Sequence, residues 1–253
     1  MNHLSLFNGI GGFQLAAEYC GWVNVAHVEE DEFCNEVAAY RYPDSTCYLD
    51  IKEFDGSQYH GRIDVVSGGF PCQPYSISGK RLGNDDDRAL WPEMLRVVRE
   101  VAPAFVVGEN VVGAADMELH NWTADLESVG YEVTSFDIPA SACGLPTMER
   151  HLWIVASTDG VRRQRDGSQQ APTRSAPGEL PGDDSGVGGR RDIRESRFRR
   201  VGERVSSRLD KTGRQRLRAI GNAIPPYVAY RIFSAIQEAS CKASPVRVFP
   251  CNK

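Results

Sequence analysis

Short apolar runs alternate with stretches of helical period across the first 156 residues, and this alternation constrains the fold more than any other feature of the sequence. The runs are "HLSLF", "VNVAHV", "IDVVS", "AFVVG", "YEVTSF" and "LWIVA", all of strand length and bounded by turn-forming residues. Between them, "DEFCNEVAAY" sets Phe33, Val37 and Tyr40 on one helical face, and "LWPEMLRVVREV" does the same with Leu90, Met94, Val97 and Val101. Pro92 suits only the first turn of the second helix, where its missing N–H leaves no carbonyl unpaired. Strands and helices in alternation predict an α/β domain, three layers deep around a mostly parallel sheet.

The pattern stops at Ser157. From there to about Arg214 the chain is Gly, Arg, Ser, Pro and Asp, with Phe198 as its one aromatic residue. So little apolar surface cannot offset the entropy of ordering a core, and a small, loop-rich, basic lobe is expected. Helical period returns in "IGNAIPPYVAYRIFSAIQEA", where Pro225 and Pro226 suit the start and Val228, Ile232, Ile236 and Ala239 share a face. That face has to dock on the first domain, because the basic segment offers it nothing apolar. The expected organisation is therefore residues 1–156 with 214–240 as one domain, 157–213 as the basic segment, and 241–253 as a tail.

Charge follows the same division. The chain carries a net −5, yet between Arg162 and Arg218 fifteen Arg and one Lys face eight Asp or Glu. That segment suits a polyanion or bulk water. The cysteines at 20, 34, 47, 72, 143, 241 and 251 form no CxxC pair, so reduced thiols are expected, with no disulfide framework and no metal site. The absence of a long apolar run and of a basic, apolar N-terminal leader makes a cytoplasmic protein with no membrane span the default expectation.

Three motifs point to a cofactor. "LFNGIGGF" lies between the first strand and a helix, and Gly9, Gly11 and Gly12 let backbone amides approach a ligand, although Gln14 stands where GxGxxG has its third glycine. About twenty residues on, "HVEED" ends the next strand and sets Glu29 where a pair of ribose hydroxyls would be held. Asp50 in "YLDI" stands where it can accept from an adenine amine.

The reactive candidate is Cys72 in "GGFPCQPYS", braced by Pro71 and Pro74 at the C-terminal end of a strand, the edge where open α/β sheets bind ligands. A buried, inert thiol is the ordinary fate of a cysteine. Here "VVGEN" brings Glu109 to the end of another strand, facing the same cleft. A thiolate with a nearby protonated carboxyl suits attack on a pyrimidine: the acid polarises N3, sulfur adds to C6, and C5 becomes nucleophilic. A neighbouring cation would help the thiol ionise, and Arg150 or His151 is a candidate.

Taken in order, "LSLFNGIGGF", "VEED", "LDI", "GGFPCQPYSISGKR", "GENV", "CGLPTMERHLWIVA" and "RLRAIGNAIPP" resemble the DNA (cytosine-5)-methyltransferases that use S-adenosylmethionine. The resemblance implies a Rossmann-like methyltransferase domain, with the basic segment as a small target-recognition lobe. It makes Cys72 the nucleophile and Glu109 the acid at N3, with Phe7, Gly9, Gly11, Glu29, Asp50, Pro71 and Asn222 around S-adenosylmethionine. Gln73, Ser76, Lys80 and Arg81 then belong to a loop that closes over double-stranded DNA, from which the target base is flipped. A monomer that uses no metal and serves alongside a cognate restriction enzyme is implied as well.

Two departures stand out. The family's PQxRxR appears as Pro146-Thr147-Met148-Glu149-Arg150-His151, and neighbouring side chains on a strand face opposite ways, so only one of Arg150 and His151 can look into the cleft. The basic segment is also shorter than the region that usually reads DNA. A catalytically silent DNA-binding relative, and an enzyme acting on tRNA, remain open as alternatives, since both nucleic acids offer phosphates.

Overall fold

The computed structural model describes residues 1–71, 90–143, 150–158 and 211–243. Seven strands form one sheet: β1 (Asn2–Leu6), β2 (Val23–Val28), β3 (Thr46–Tyr48), β4 (Val65–Gly69), β5 (Phe105–Val111), β6 (Tyr131–Pro139) and β7 (Arg150–Thr158). Their order is β3-β2-β1-β4-β5-β7-β6. The first five are parallel, and β7 runs antiparallel to both β5 and β6. The helices are α1 (Gly12–Tyr19), α2 (Glu32–Arg41), α3 (Trp91–Val101), α4 (Val112–Ser128), α5 (Lys211–Gly221) and α6 (Pro226–Ala243). The chain divides into two units, Met1–Gln164 with Ile224–Lys253, and Arg165–Ala223. Of the smaller unit, the described part is α5 and the two residues after it.

Within the larger unit, side-chain alternation along each strand sorts the core into two layers. On one face Leu4, Leu6, Val66 and Val106 meet Met94, Val97, Val98 and Val101 of α3 and Trp122 and Leu126 of α4. On the other, Val65, Val107 and Trp153 meet Phe13, Ala16 and Ala17 of α1 and Val228, Ala229, Phe233 and Ile236 of α6. The returning helix thus docks on the first domain, as its composition requires. Phe233 stacks on Trp22 at 4.6 Å between ring centroids, and the Trp22 indole donates to Gln237 Oε1 at 2.6 Å.

Two helical faces are shifted from the expected ones. On α2 the buried residues are Cys34 and Ala38, while Tyr40 is 90 % exposed. Small side chains let this helix lie close, while Phe33 and Val37 are half-buried at its flank. On α6 the face is Val228, Ala229, Phe233 and Ile236, with Ile232 half-buried and Ala239 exposed. α5 presents Leu217 and Ile220 as exposed apolar residues and belongs to the smaller unit, whereas the expected boundary put residues from 214 onward with the larger one. Among the described residues, no helix is long and apolar enough to cross a membrane.

A polar seam crosses the otherwise apolar layer under α1. His3, Ser5, Gln14, His27 and Ser67 are all buried, with Ser5 in register with His27 on one side and Ser67 on the other. His3 donates through Nδ1 to Asn24 Oδ1 at 2.7 Å and accepts at Nε2 from the Ser67 hydroxyl at 2.8 Å. Burial lowers the His3 pKa to about 4, so the ring is held neutral.

Candidate active site

The carboxyl ends of the five parallel strands share one edge of the sheet. Phe7 follows β1, Glu29 follows β2, Asp50 lies just past β3, Phe70 and Pro71 follow β4, and Glu109 lies near the end of β5. This is where a doubly wound sheet opens a crevice, beside the point at which strand order reverses between β1 and β4.

The turn after β1 is unusual in its backbone. Phe7 has φ 51°, a left-handed conformation costly for a side chain of its size, and Gly9 and Gly11 have φ 53° and 85°. A Cβ on Gly11 would lie 2.7 Å from Tyr42 Cε2, and one on Gly12 2.8 Å from Ile224 Cγ1, so both glycines are needed for close approach. Among the described residues, a Cβ on Gly9 would meet nothing within 4 Å. That side of the turn is open.

Glu29 pins the turn from below. Its Oε2 accepts from the Gly9 N–H at 2.6 Å and its Oε1 from the Asp31 N–H at 2.9 Å. Burial pushes its carboxyl above the usual range, and those two amides offset part of the shift. Each carboxylate oxygen keeps a further lone pair for a ligand hydroxyl. Gln14, the departure from GxGxxG, is fully buried: its Oε1 accepts from Asn8 Nδ2 at 2.9 Å and its Nε2 donates to Ser45 Oγ at 3.1 Å. It ties the turn to the polar seam, a role a glycine could not fill. Asp50 is exposed, with Oδ1 accepting from the Lys52 N–H at 2.8 Å. Asn222 follows α5 in the smaller unit, its N–H bonded to the Arg218 carbonyl at 3.0 Å.

The exit from β4 is held on both sides. Phe70 packs its ring at 5.0 Å from Trp91 and 4.8 Å from Trp122, while its carbonyl accepts from Asn110 Nδ2 at 3.0 Å. Residue 71 therefore leaves the sheet in a fixed direction. Cys72, Gln73, Ser76, Lys80 and Arg81 lie outside the described residues, as does most of the basic segment.

Glu109 is 8 % exposed and sits in register with Gly69. Its Oε1 accepts from His151 Nδ1 at 2.6 Å. A Cβ on Gly69 would come 3.0 Å from Oε2 and 3.2 Å from Ile224 Cγ2, so the second carboxyl oxygen lies over the end of β4. Arg150 faces elsewhere, forking onto Asp137 at 3.0 and 2.5 Å on an exposed surface. The structure thus divides the two cationic candidates: His151 meets Glu109 and Arg150 does not. Asn110 and Ile224 were not singled out from the sequence, although "GEN" and "GNAI" contain them, and Gln14 was marked only as a departure from the glycine motif. Among the described residues, no group of three His, Cys, Asp or Glu could hold a metal ion.

With a cofactor-type turn and a carboxyl beside the exit to Cys72 on one edge, comparison with known proteins becomes informative. The C-5 cytosine-specific DNA methylase family matches residues 1–178 of the 253. The chain belongs to that family. Among curated DNA methylase relatives, Type II methyltransferase M.NgoMIV of Neisseria gonorrhoeae is 36 % identical over 133 residues, 51 % of this chain and 42 % of that protein. Type II methyltransferase M.PspPI of Psychrobacter sp. is 35 % identical over 166 residues, 63 % of this chain and 39 % of that protein. The chain thus spans about two fifths of the length of these relatives. A DNA modification methyltransferase encoded within an E. coli prophage superposes with a TM-score of 0.53 at 26 % identity, over 62 % of this chain and 47 % of that one. Dnmt2 of S. pombe shares the fold, with a TM-score of 0.54 at 19 % identity over 62 % of this chain and 51 % of that one. The α/β methyltransferase fold and the family read from the motifs are both borne out.

Proposed function

We propose that this C-5 cytosine-specific DNA methylase transfers a methyl group from S-adenosylmethionine to C5 of cytosine in DNA. The observation that carries the reading is the position of the Glu109 carboxyl, with one oxygen on His151 and the other over Gly69, three residues before Cys72. A base lying against that wall would meet an acid at N3 and a thiol at C6.

The residues at the strand ends suit S-adenosylmethionine: the open side of Gly9 leaves room, and Glu29 keeps lone pairs for ribose hydroxyls. Phe7, Gly11, Asp50 and Pro71 complete the set in the larger unit that would hold it. When bound, S-adenosylmethionine supplies a methyl group activated by a sulfonium centre. The chain's own residues do the rest. Glu109 donates its proton to N3, which drains electron density from C6, and the Cys72 thiolate adds there. After methylation solvent water takes the C5 proton, the C–H electron pair closes the C5–C6 double bond, and the C6–S bond breaks with its pair returning to sulfur. In duplex DNA this requires the base to leave the stack, at a few kcal/mol of lost stacking and pairing. Gln73, Ser76, Lys80, Arg81 and the basic segment are assigned to DNA contact, and the Type II names of the relatives make a restriction enzyme the natural companion.

The test is incubation with labelled S-adenosylmethionine and mixed-sequence duplex DNA. 5-Methylcytosine is expected with the native chain and none with Cys72→Ser. Unmethylated DNA in every sequence context, or methylation that survives Cys72→Ser, contradicts the proposal.

A further inference from the structure

A carboxyl that gives up its proton leaves a negative charge behind, and at Glu109 that charge forms in a wall shielded from water. The Glu109 and His151 side chains are only 10 % and 16 % exposed, and 2.6 Å separates Oε1 from Nδ1. A buried carboxylate without a counter-charge is strongly disfavoured. The one oxygen directed over β4 is Oε2, so the oxygen on His151 is not the one offered to a base.

Resting on the reading of Glu109 as proton donor, we propose that His151 is its titrating counter-ion, so that methyl transfer runs with His151 as the imidazolium and declines when that charge is lost. In proton terms, the Oε2–H bond breaks as the N3–H bond forms, and the electron pair stays on the carboxylate. The positive Nδ1–H of His151 faces that new charge at Oε1. On product release N3 returns the proton to Oε2, and His151 has gained and lost nothing. Neutral His151 still donates a hydrogen bond through Nδ1 but brings no charge. His151 acts through Glu109 and is a positioning residue.

The surroundings suit this role. β5 brings Glu109. β6 sets Ile138 opposite His151, and its Asp137 is engaged by Arg150. The helical layer over this face presents Phe13, Val228 and Phe233. The titratable groups of α1, Glu18 and Tyr19, are exposed; on α6, Tyr227, Arg231 and Glu238 are exposed and Tyr230 is half-buried. α4, with Glu118, His120, Asp125 and Glu127, packs on the opposite face of the sheet, beside Leu152 and Ile154.

The experiment is the pH dependence of single-turnover methylation for the native chain, His151→Arg and His151→Gln. Imidazole is the side chain whose ordinary titration falls within the usable range, about pH 5 to 8. The advantage of the native chain over His151→Gln should shrink as pH rises through the titration of the ring, whereas His151→Arg, whose charge stays, should keep its advantage over His151→Gln throughout. His151→Gln should be slower than native by about tenfold or more at the acid end. A rate ratio of native chain to His151→Gln that does not change with pH, or His151→Gln matching the native rate in acid, overturns the inference and leaves the proposed function standing. No methylation by the native chain at any pH overturns both. Nitrogen NMR of the His151 ring gives a readout independent of turnover: its charge should be lost at lower pH in Glu109→Gln than in the native chain, and identical titration would contradict the pairing.

Discussion

The two halves of the sheet edge are held in place by different means. On the β1–β2–β3 side, backbone amides, glycine turns and a buried polar seam fix the cofactor turn: Gly9 and Asp31 close on Glu29, and Gln14 links Asn8 to Ser45. On the β4–β5–β7 side, an aromatic cluster around Phe70 and the Asn110 amide fix the chain, while the proposed chemistry rests on one ionisable pair, Glu109 and His151. On the proposed function the first half is scaffold for binding, and the second holds a proton that has to move. Substitutions in the first should therefore appear in cofactor affinity and stability, and those in the second in rate.

Glu109→Gln separates the halves most sharply. It keeps the shape over Gly69 but has no proton to give, and should lower kcat by about 10² to 10⁴-fold while leaving cofactor affinity and thermal stability near native. Calorimetric titration and melting curves run beside the rate assay check this, and a matching loss of cofactor affinity would erase the distinction.

The polar seam predicts a stability effect with no counterpart on the other side. His3 has its pKa lowered from 6.5 to about 4, so the unfolded chain binds the proton more readily than the folded one between those values. Stability should be fully present above about pH 6.5 and be lost as pH falls towards 4, by up to about 3 kcal/mol. Denaturant titration at several pH values should show this slope, and His3→Gln should flatten it.

Gly11→Ala places a methyl group against the Tyr42 ring at a residue with φ 85°, and should cost about 1–3 kcal/mol of stability together with cofactor affinity. Gly9→Ala is the smallest and sharpest case. With open space at its Cβ, it should lose only about 1 kcal/mol of stability through the left-handed backbone, yet weaken cofactor binding by more than its stability cost implies. Equal losses would remove the argument that the space over Gly9 is for a ligand.

Much of this was legible in the sequence, and the remainder was hidden for physical reasons. The six apolar runs fall on the six longer strands; β1, β4 and β5 read as continuous apolar stretches because they lie in the parallel part of the sheet, covered on both faces. β3, three residues long and largely exposed, carries too little apolar signal to be seen. α4 was missed because its polar and apolar residues mix without a clean face, and α2 was placed out of phase because its contacts use Cys34 and Ala38. The strand-end residues Glu29 and Glu109 were readable from motif spacing. The choice between Arg150 and His151 was not, since it depends on β7 pairing Val111 with His151 across an antiparallel register that leaves no local trace. Gln14 looked like a defect in a glycine motif, and its buried hydrogen bonds explain it only once β2 and the Ser45 turn are seen beside it.

The most direct test of the central claim uses duplex DNA containing 5-fluorocytosine, whose C5 substituent cannot leave as a proton, so that an adduct persists. After incubation with S-adenosylmethionine and proteolysis, mass spectrometry should find the base bound to the peptide containing Cys72, and no adduct with Cys72→Ser. A base attached to another residue, or 5-methylcytosine formed in ordinary DNA while the fluorinated duplex captures nothing, would contradict it.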